Sequence, residues 1–255
     1  MSVSLPHALS VWRRNATMYR RTWKSNLLPN FFEPVFYLTA IGIGVGAYIE
    51  GMGGVSYAEF LAPGLVCVAA MNGASFEVTY NIFVRMTFEK IYDAMLTTPI
   101  ETDDVMAGEL LWAMTRVGIY GGIFFVVLAA FGLAPLPRAL LALPVIPLAG
   151  LLFAALGLAF SLRVHAIEHF SFYFTLFLTP LFLFSDVFFP LEERLSGVWL
   201  WVAEALPLLH PVRLARAAFH GGLGWIHLWD VAYVALVSGA LLAWSRRLLA
   251  ARLKS

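Results

Sequence analysis

The sequence predicts an all-α, polytopic membrane protein with six transmembrane helices, and three observations carry that prediction. Of the 255 residues, 60% are hydrophobic and 13% charged, whereas a water-soluble domain carries about 25% charged residues. The mean hydropathy is +0.79. The apolar residues gather in runs of roughly 20, long enough to cross a bilayer as helices and too long for tilted strands. Six such runs with short connections make residues 1–255 one membrane domain and leave no room for a soluble catalytic one. The net charge of +1 argues against nucleic acid as a partner.

In order, the expected spans are Leu28 to Ile49, Leu61 to Val84, Leu110 to Leu133, Leu140 to Leu162, Phe170 to Phe189 and Leu228 to Trp244. Ahead of the first, Leu9, Trp12, Ala16, Tyr19 and Trp23 recur every three or four residues, with Arg13, Arg14, Arg20, Arg21 and Lys24 largely off that stripe. Residues 5–25 therefore read as an interfacial amphipathic helix on the lipid bilayer.

Between spans two and three, residues 86–98 hold a second stripe. Phe88, Ile91, Tyr92, Met95 and Leu96 share a helical face, Glu89, Lys90 and Asp93 lie on the other, and Thr97-Thr98-Pro99 ends the helix. The next helix starts from a Thr98 to Glu101 capping box or at Thr102 with Asp103 and Asp104. A short helix of this kind needs cover from the bundle, the bilayer surface or a groove on a partner.

Before the last span, residues 190–227 are too apolar for a solvated loop yet broken by Pro190, Gly197, Pro207, Pro211 and Gly221-Gly222. They read as a re-entrant hairpin of two helices, Leu191 to Ala205 and Val212 to His220. Arg213 and Arg216 share a face with His220 and are expected at lipid headgroups, as snorkelling anchors. Counting Lys and Arg by loop gives twelve on the side of both termini and four on the other, with Arg116 inside a span. That asymmetry puts both termini in the cytoplasm.

Glu33, Glu77 and Arg116 fall within spans, where an ionised group needs a partner or water, and Arg116 is expected to pair with Glu77 or Glu33. Gly42 and Gly46 form a GxxxG pair suited to close helix approach. Cys67 is the sole cysteine, so no disulfide or Cys-rich metal site is expected and it reads as core. A phosphate loop is missing, because Lys24, Lys90 and Lys254 follow Trp23, Glu89 and Leu253 rather than glycine. His165-Ala166-Ile167-Glu168-His169 fits the H-x-x-E-H pattern of inverted zincins, but without an evident third ligand it reads as a polar turn. No catalytic or metal-binding residue is assigned. An ion-gradient-driven transporter using Glu33 and Glu77 as proton carriers stands as the alternative class.

The loop Phe88-Glu89-Lys90-Ile91-Tyr92-Asp93-Ala94-Met95-Leu96-Thr97-Thr98-Pro99-Ile100, with Phe188-Phe189-Pro190-Leu191 and Leu206-Pro207-Leu208-Leu209-His210-Pro211-Val212-Arg213, resembles the permease subunits of type-2 ABC exporters. It is most similar to their NodJ lipo-oligosaccharide export subfamily, over about Leu5 to Leu253. The resemblance implies that Phe88, Glu89, Ile91, Tyr92, Asp93, Met95 and Leu96 form a coupling helix docked in a separately encoded ATPase. Two ATPase copies would bind ATP and Mg, with no cofactor in this chain. It further implies a bacterial inner-membrane homodimer joined through spans one and five, with Phe36, Tyr37, Phe172, Tyr173 and Phe177 at the path or the interface. The cargo would be amphiphilic: a lipo-oligosaccharide, glycolipid, polysaccharide precursor or drug. Where the family often has Ser-Gly before its Phe-Pro segment, this chain has Ser185-Asp186.

Overall fold

A computed structural model describes residues 3–46, 48–49, 51–191 and 195–253, apart from the side chains at 27, 29–31, 33, 42 and 43. Helix α1 (Leu5–Thr39) has Pro6 in its first turn, where a missing N–H costs nothing, and runs on as a wide π turn, Ala40–Val45. Helix α2 (Tyr57–Phe88) opens on a reciprocal cap. Ser56 N donates to Glu59 Oε2 at 2.9 Å and Glu59 N to Ser56 Oγ at 3.3 Å. Its second half contains π turns at Glu77–Asn81 and Val84–Phe88. Lys90, at φ +53°, then turns the chain into the short α3 (Ile91–Leu96).

Helix α4 (Thr102–Ala130) is followed by a 3₁₀ turn, Arg138–Ala142, and by α5 (Val145–Ser161). Helix α6 (Ile167–Phe184) has a π centre at Tyr173–Leu178, and α7 (Val198–Glu204), α8 (Leu209–His220) and α9 (Ile226–Arg252) complete the order. By length and composition, α2, α4, the Arg138–Ser161 stretch, α6 and α9 can each cross a membrane. The first expected span is helical through Val45 and includes residues outside those described. The chain is thus an all-helical membrane protein.

Helix α2 is the axis of the bundle: 83% of its most apolar stretch is buried, against 22% for α6 and α9. It packs on α4, α5 and α8. Small residues set the approach distances, since a Cβ at Gly150 would lie 2.3 Å from Val117 Cγ1, and one at Gly157 2.6 Å from Val78 Cγ2. Cys67 is fully buried in this core.

Residues 5–25 do not form a helix separate from the first span. They are the first half of α1, which climbs beside α4. Asp104 ties the two starts together, accepting from Ser4 N at 2.7 Å and from Glu101 N at 3.1 Å. Glu101 precedes α4, so of the two expected starts the one at Thr102 forms. The buried face of α1 is Ala8, Val11 and Asn15, which fit over Gly108 and Glu109, with Trp12 and Tyr19 flanking it. Packing on α4, rather than an apolar stripe on lipid, therefore orients this stretch. Trp12 donates its indole N–H to Thr115 at 2.9 Å, Tyr19 meets Trp112 edge-on, and Leu9, Arg13, Arg20 and Trp23 stay exposed.

Helix α9 closes the same end, where Arg246 Nε lies 2.7 Å from Asp103 Oδ1 and Arg252 donates to the carbonyls of Ser161 and Leu162. At the opposite end Leu191 is helical, as expected, its carbonyl accepting from Leu195 N at 2.8 Å, and a further helix begins at Val198. Gly197, at φ +58° and ψ −126°, holds a conformation that stops helix propagation; residues 192–194 lie outside the description.

Candidate functional site

Four charged side chains meet where α1, α2 and α4 come together. Glu77, Asn81 and Arg85 occupy one face of α2 at successive steps of four. Arg85 donates to Glu77 Oε1 at 2.7 Å and Asn81 to Glu77 Oε2 at 2.8 Å. From α4, Glu109 Oε2 accepts from Arg85 at 2.6 Å and from Asn15 of α1 at 3.0 Å. Arg116 Nε lies 3.7 Å from Glu77 Oε2, and its Nη2 donates to Tyr120 Oη at 2.5 Å. The Arg116 guanidinium also lies 4.6 Å from the centre of the Tyr19 ring. Two carboxylates and two guanidiniums balance, which is how charge survives in an apolar interior.

The expected pairing of Arg116 with Glu77 is therefore present, but Arg85 is the closer partner and Glu109 the second acid. Sequence reading placed both in the loop, one residue beyond each span as drawn. The period Glu77, Asn81, Arg85 was the available signal. The side chain of Glu33 lies outside the described residues.

The short helix hangs beneath this cluster. The expected uncovered stripe is split: Tyr92 is 1% exposed and points into the bundle, Ile91, Met95 and Leu96 are half-buried, and Phe88 belongs to the preceding π turn and is 63% exposed. The left-handed Lys90 between Phe88 and Ile91 breaks the single helical face assumed from spacing. Burial first, and then the Glu109 charge, push the Tyr92 phenol well above its ordinary pKa. What faces outward is Phe88, Glu89, Lys90, Asp93, Ala94 and Thr97. Arg14 of α1 lies 4.0 Å from Glu89.

Between α1, α2, α4 and α6 runs a cavity of about 570 Å³, lined among others by Tyr37, Asn72, Phe76, Tyr120, Phe174 and Thr179. Among the described residues, Tyr37 is the one member of the expected path set that lines it. Phe36 and Phe172 are exposed on the outer surface, and Phe177 packs half-buried on Tyr173 at 5.5 Å between ring centres. Tyr173 is buried within its own chain, its hydroxyl 3.3 Å from Ser75 Oγ, in the π turn of α6. Gly46 is half-buried, and Gly42 lies outside the residues whose side-chain surroundings are described.

At the far end Arg213 and Arg216 meet protein carboxylates rather than headgroups. Arg213 pairs with Glu204 of α7 and lies 2.6 Å from Asp230 of α9, while Arg216 pairs with Asp186 and stacks 3.9 Å over Phe60. Glu204, Asp230 and Asp186, separated by 9, 17 and 30 residues from the arginines they meet, were the missed partners. His210 is fully buried, with Nδ1 2.8 Å from Asp230 and the Tyr233 ring stacked on it. Ala166 is extended, at φ −132° and ψ 140°, so His165 and His169 do not share a helical face as a zincin pair requires. Among the described residues, no three His, Cys, Asp or Glu gather in a way that could hold a metal.

An all-helical membrane bundle with a buried charge cluster, an open apolar cavity and a short helix at one end has the form of a transport permease. The chain belongs to the ABC-2 type transporter family, whose model matches residues 7–220. It is similar to Nodulation protein J of Rhizobium leguminosarum bv. trifolii, 38% identical over 213 residues that cover 84% of this chain and 81% of the relative. The Nodulation protein J of Rhizobium meliloti (strain 1021) is 36% identical over 221 residues, 84% of each chain. Inner membrane transport permease YadH of Escherichia coli (strain K12) is 25% identical over 240 residues, 92% of each.

Proposed function

We propose that this chain is the permease of an exporter whose energy comes from a separate ATPase, two copies of which bind ATP and Mg against two copies of this chain. The observation that carries the reading is α3: a short helix anchored inward by Tyr92 and presenting Glu89, Lys90, Asp93, Ala94 and Thr97 outward at the basic end of the bundle. Movement of the ATPase pair would act on that face, and the anchored side would pass it to the helices above. The excess of Lys and Arg at this end supports both termini lying in the cytoplasm, with the chain in a bacterial inner membrane.

The cargo fits an amphiphile moved outward, as a lipo-oligosaccharide, glycolipid, polysaccharide precursor or drug would be. The 570 Å³ cavity supports this, combining aromatic walls with Tyr37, Asn72 and Thr179. Exposed Phe36 and Phe172 on α1 and α6 suit pairing with a second copy. A proton-carrying Glu77 fits less well, since Arg85, Asn81 and Arg116 already hold its carboxylate. Gentle purification of the tagged chain from its native membrane tests the proposal. A stoichiometric ATPase that is lost when the outward face of α3 is changed supports it, and a chain that purifies alone overturns it.

A further inference from the structure

Asn72 stands at the middle of α2, the 32-residue helix Tyr57–Phe88, and lines the 570 Å³ cavity. It is half-buried, and among the described residues its side-chain amide has no hydrogen-bond partner. The hydroxyl of Tyr37, across the same cavity on α1, has none either. The threonines of α6 differ, because Thr175 already donates to the Ser171 carbonyl at 2.6 Å and Thr179 to the Phe174 carbonyl at 3.0 Å. Tyr120 of α4 is a third open group. Its oxygen accepts from Arg116 at 2.5 Å, which leaves the phenolic proton free to be donated elsewhere. A phenol that accepts from a guanidinium is polarised into a better donor. Its ring rests against α2 at Gly73, where a Cβ would lie 3.1 Å from Tyr120 Cγ and Cδ2. Among the described residues that line the cavity, none is charged.

We infer that Asn72 and Tyr120, with Tyr37, hold the head of the cargo by hydrogen bonds, and that this head is uncharged and both donates and accepts. The Asn72 amide offers both roles and the Tyr120 phenol donates, while the aromatic walls take the apolar part. An unmet amide in an apolar interior is costly, and a ligand group of this kind satisfies it. A charged head would lose its hydration without gaining a counter-ion, since Arg116 is already matched by Glu77 at 3.7 Å. Arg116 is thus a positioning residue that acts through Tyr120. The inference rests on the exporter reading and deepens it, by narrowing the class of cargo.

The test uses the complex of this chain with its co-purified ATPase in proteoliposomes. Dithionite quenching follows ATP-dependent movement of two NBD-labelled lipids, glucosylceramide with an uncharged head and phosphatidic acid with an anionic one. The parent should move glucosylceramide at least about tenfold faster, because an uncompensated charge resists desolvation. Asn72→Leu and Tyr120→Phe should each raise KM for glucosylceramide about fivefold, the effect of one lost hydrogen bond, with kcat little changed. Equal rates for the two lipids, movement of neither, or variants that lower kcat at unchanged KM overturn the inference, while a co-purified ATPase keeps the exporter reading. A parent chain that brings no ATPase through purification overturns both.

Discussion

Arg216 reaches from α8 to Asp186, a residue that stands at φ +61° and whose carboxylate also accepts the Leu191 N–H at 2.8 Å. Glycine, which the resembling family often carries here, is what a left-handed residue favours. This chain instead places an acid there and uses it to neutralise a guanidinium stacked on Phe60. Asp186→Gly relaxes the backbone, a gain of about 1 kcal/mol. It also strands Arg216, and removing one member of a buried pair costs roughly 3–5 kcal/mol, less where some solvent reaches it. The net expectation is a loss of about 2 kcal/mol, with Asp186→Asn in between because asparagine tolerates the left-handed region. Thermal unfolding in detergent measures this; a Gly variant as stable as the parent would contradict the ion-pair account.

The shared carboxylates make the central cluster respond unlike a simple pair. Exchanging Arg116 and Glu77 would set an arginine at position 77 against Arg85, now 2.7 Å from the Glu77 carboxylate, so the exchange should not restore folding. Arg85→Met should destabilise by roughly 3–5 kcal/mol, because Glu77 and Glu109 then lose their common cation. Adding Glu109→Gln to Arg85→Met removes one of the two stranded charges and should recover part of that loss. Yield of folded protein and unfolding temperature across the three variants decide it, and an Arg85→Met, Glu109→Gln double variant worse than Arg85→Met would contradict the network as described.

Glycines on α4 and α5 predict opposite outcomes for similar changes. At Gly150 the nearest atoms to a new Cβ are side-chain atoms of Val117, at 2.3 and 2.6 Å, so Gly150→Ala should destabilise and Val117→Ala should relieve it. At Gly108 the contacts are Val11 Cβ at 2.5 Å and the Ala8 carbonyl oxygen at 2.6 Å. Val11→Ala leaves both in place, so Gly108→Ala should push α1 off α4 without rescue. Gly118, with nothing within 4 Å, is the control: alanine there should stabilise by about 0.5–1 kcal/mol. Unfolding temperatures of the five variants separate these cases, and rescue of Gly108→Ala by Val11→Ala would argue against the tight α1 contact.

These contrasts also mark what the sequence discloses. Runs of apolar residues located α2, α4, α5, α6 and α9, because lipid solvation is a local demand on each stretch. Spacing exposed the stripe of α3 but not its orientation, since Lys90 turns backbone against the period. The pairing of Arg213 with Asp230 and of Arg216 with Asp186 depends on how α8 packs beside α9 and α2 and reaches the turn after α6, which no local pattern encodes. The course of α1 was hidden for a related reason: Ala8 and Val11 find their place only against Gly108, a residue about 100 positions away.

The division of α3 into an inward and an outward side changes which substitutions can separate folding from coupling. Tyr92→Asp would set a second carboxylate beside Glu109 in a buried site, so it should lower the yield of folded protein and report nothing about a partner. Asp93 and Ala94 are exposed, and Asp93 pairs with Lys90 at 4.0 Å on the surface. Such a pair contributes little to stability. Asp93→Arg and Ala94→Glu should therefore leave unfolding temperature within about a degree of the parent, because exposed substitutions usually shift stability by less than 0.5 kcal/mol. Binding to the ATPase should nonetheless fall by tenfold or more, since a misplaced charge in a docked face costs more than one on an open surface. Co-purification and unfolding temperature measured on the same preparations give the answer: loss of the ATPase with full stability identifies the outward face as the docking surface, and retention in both variants moves it elsewhere.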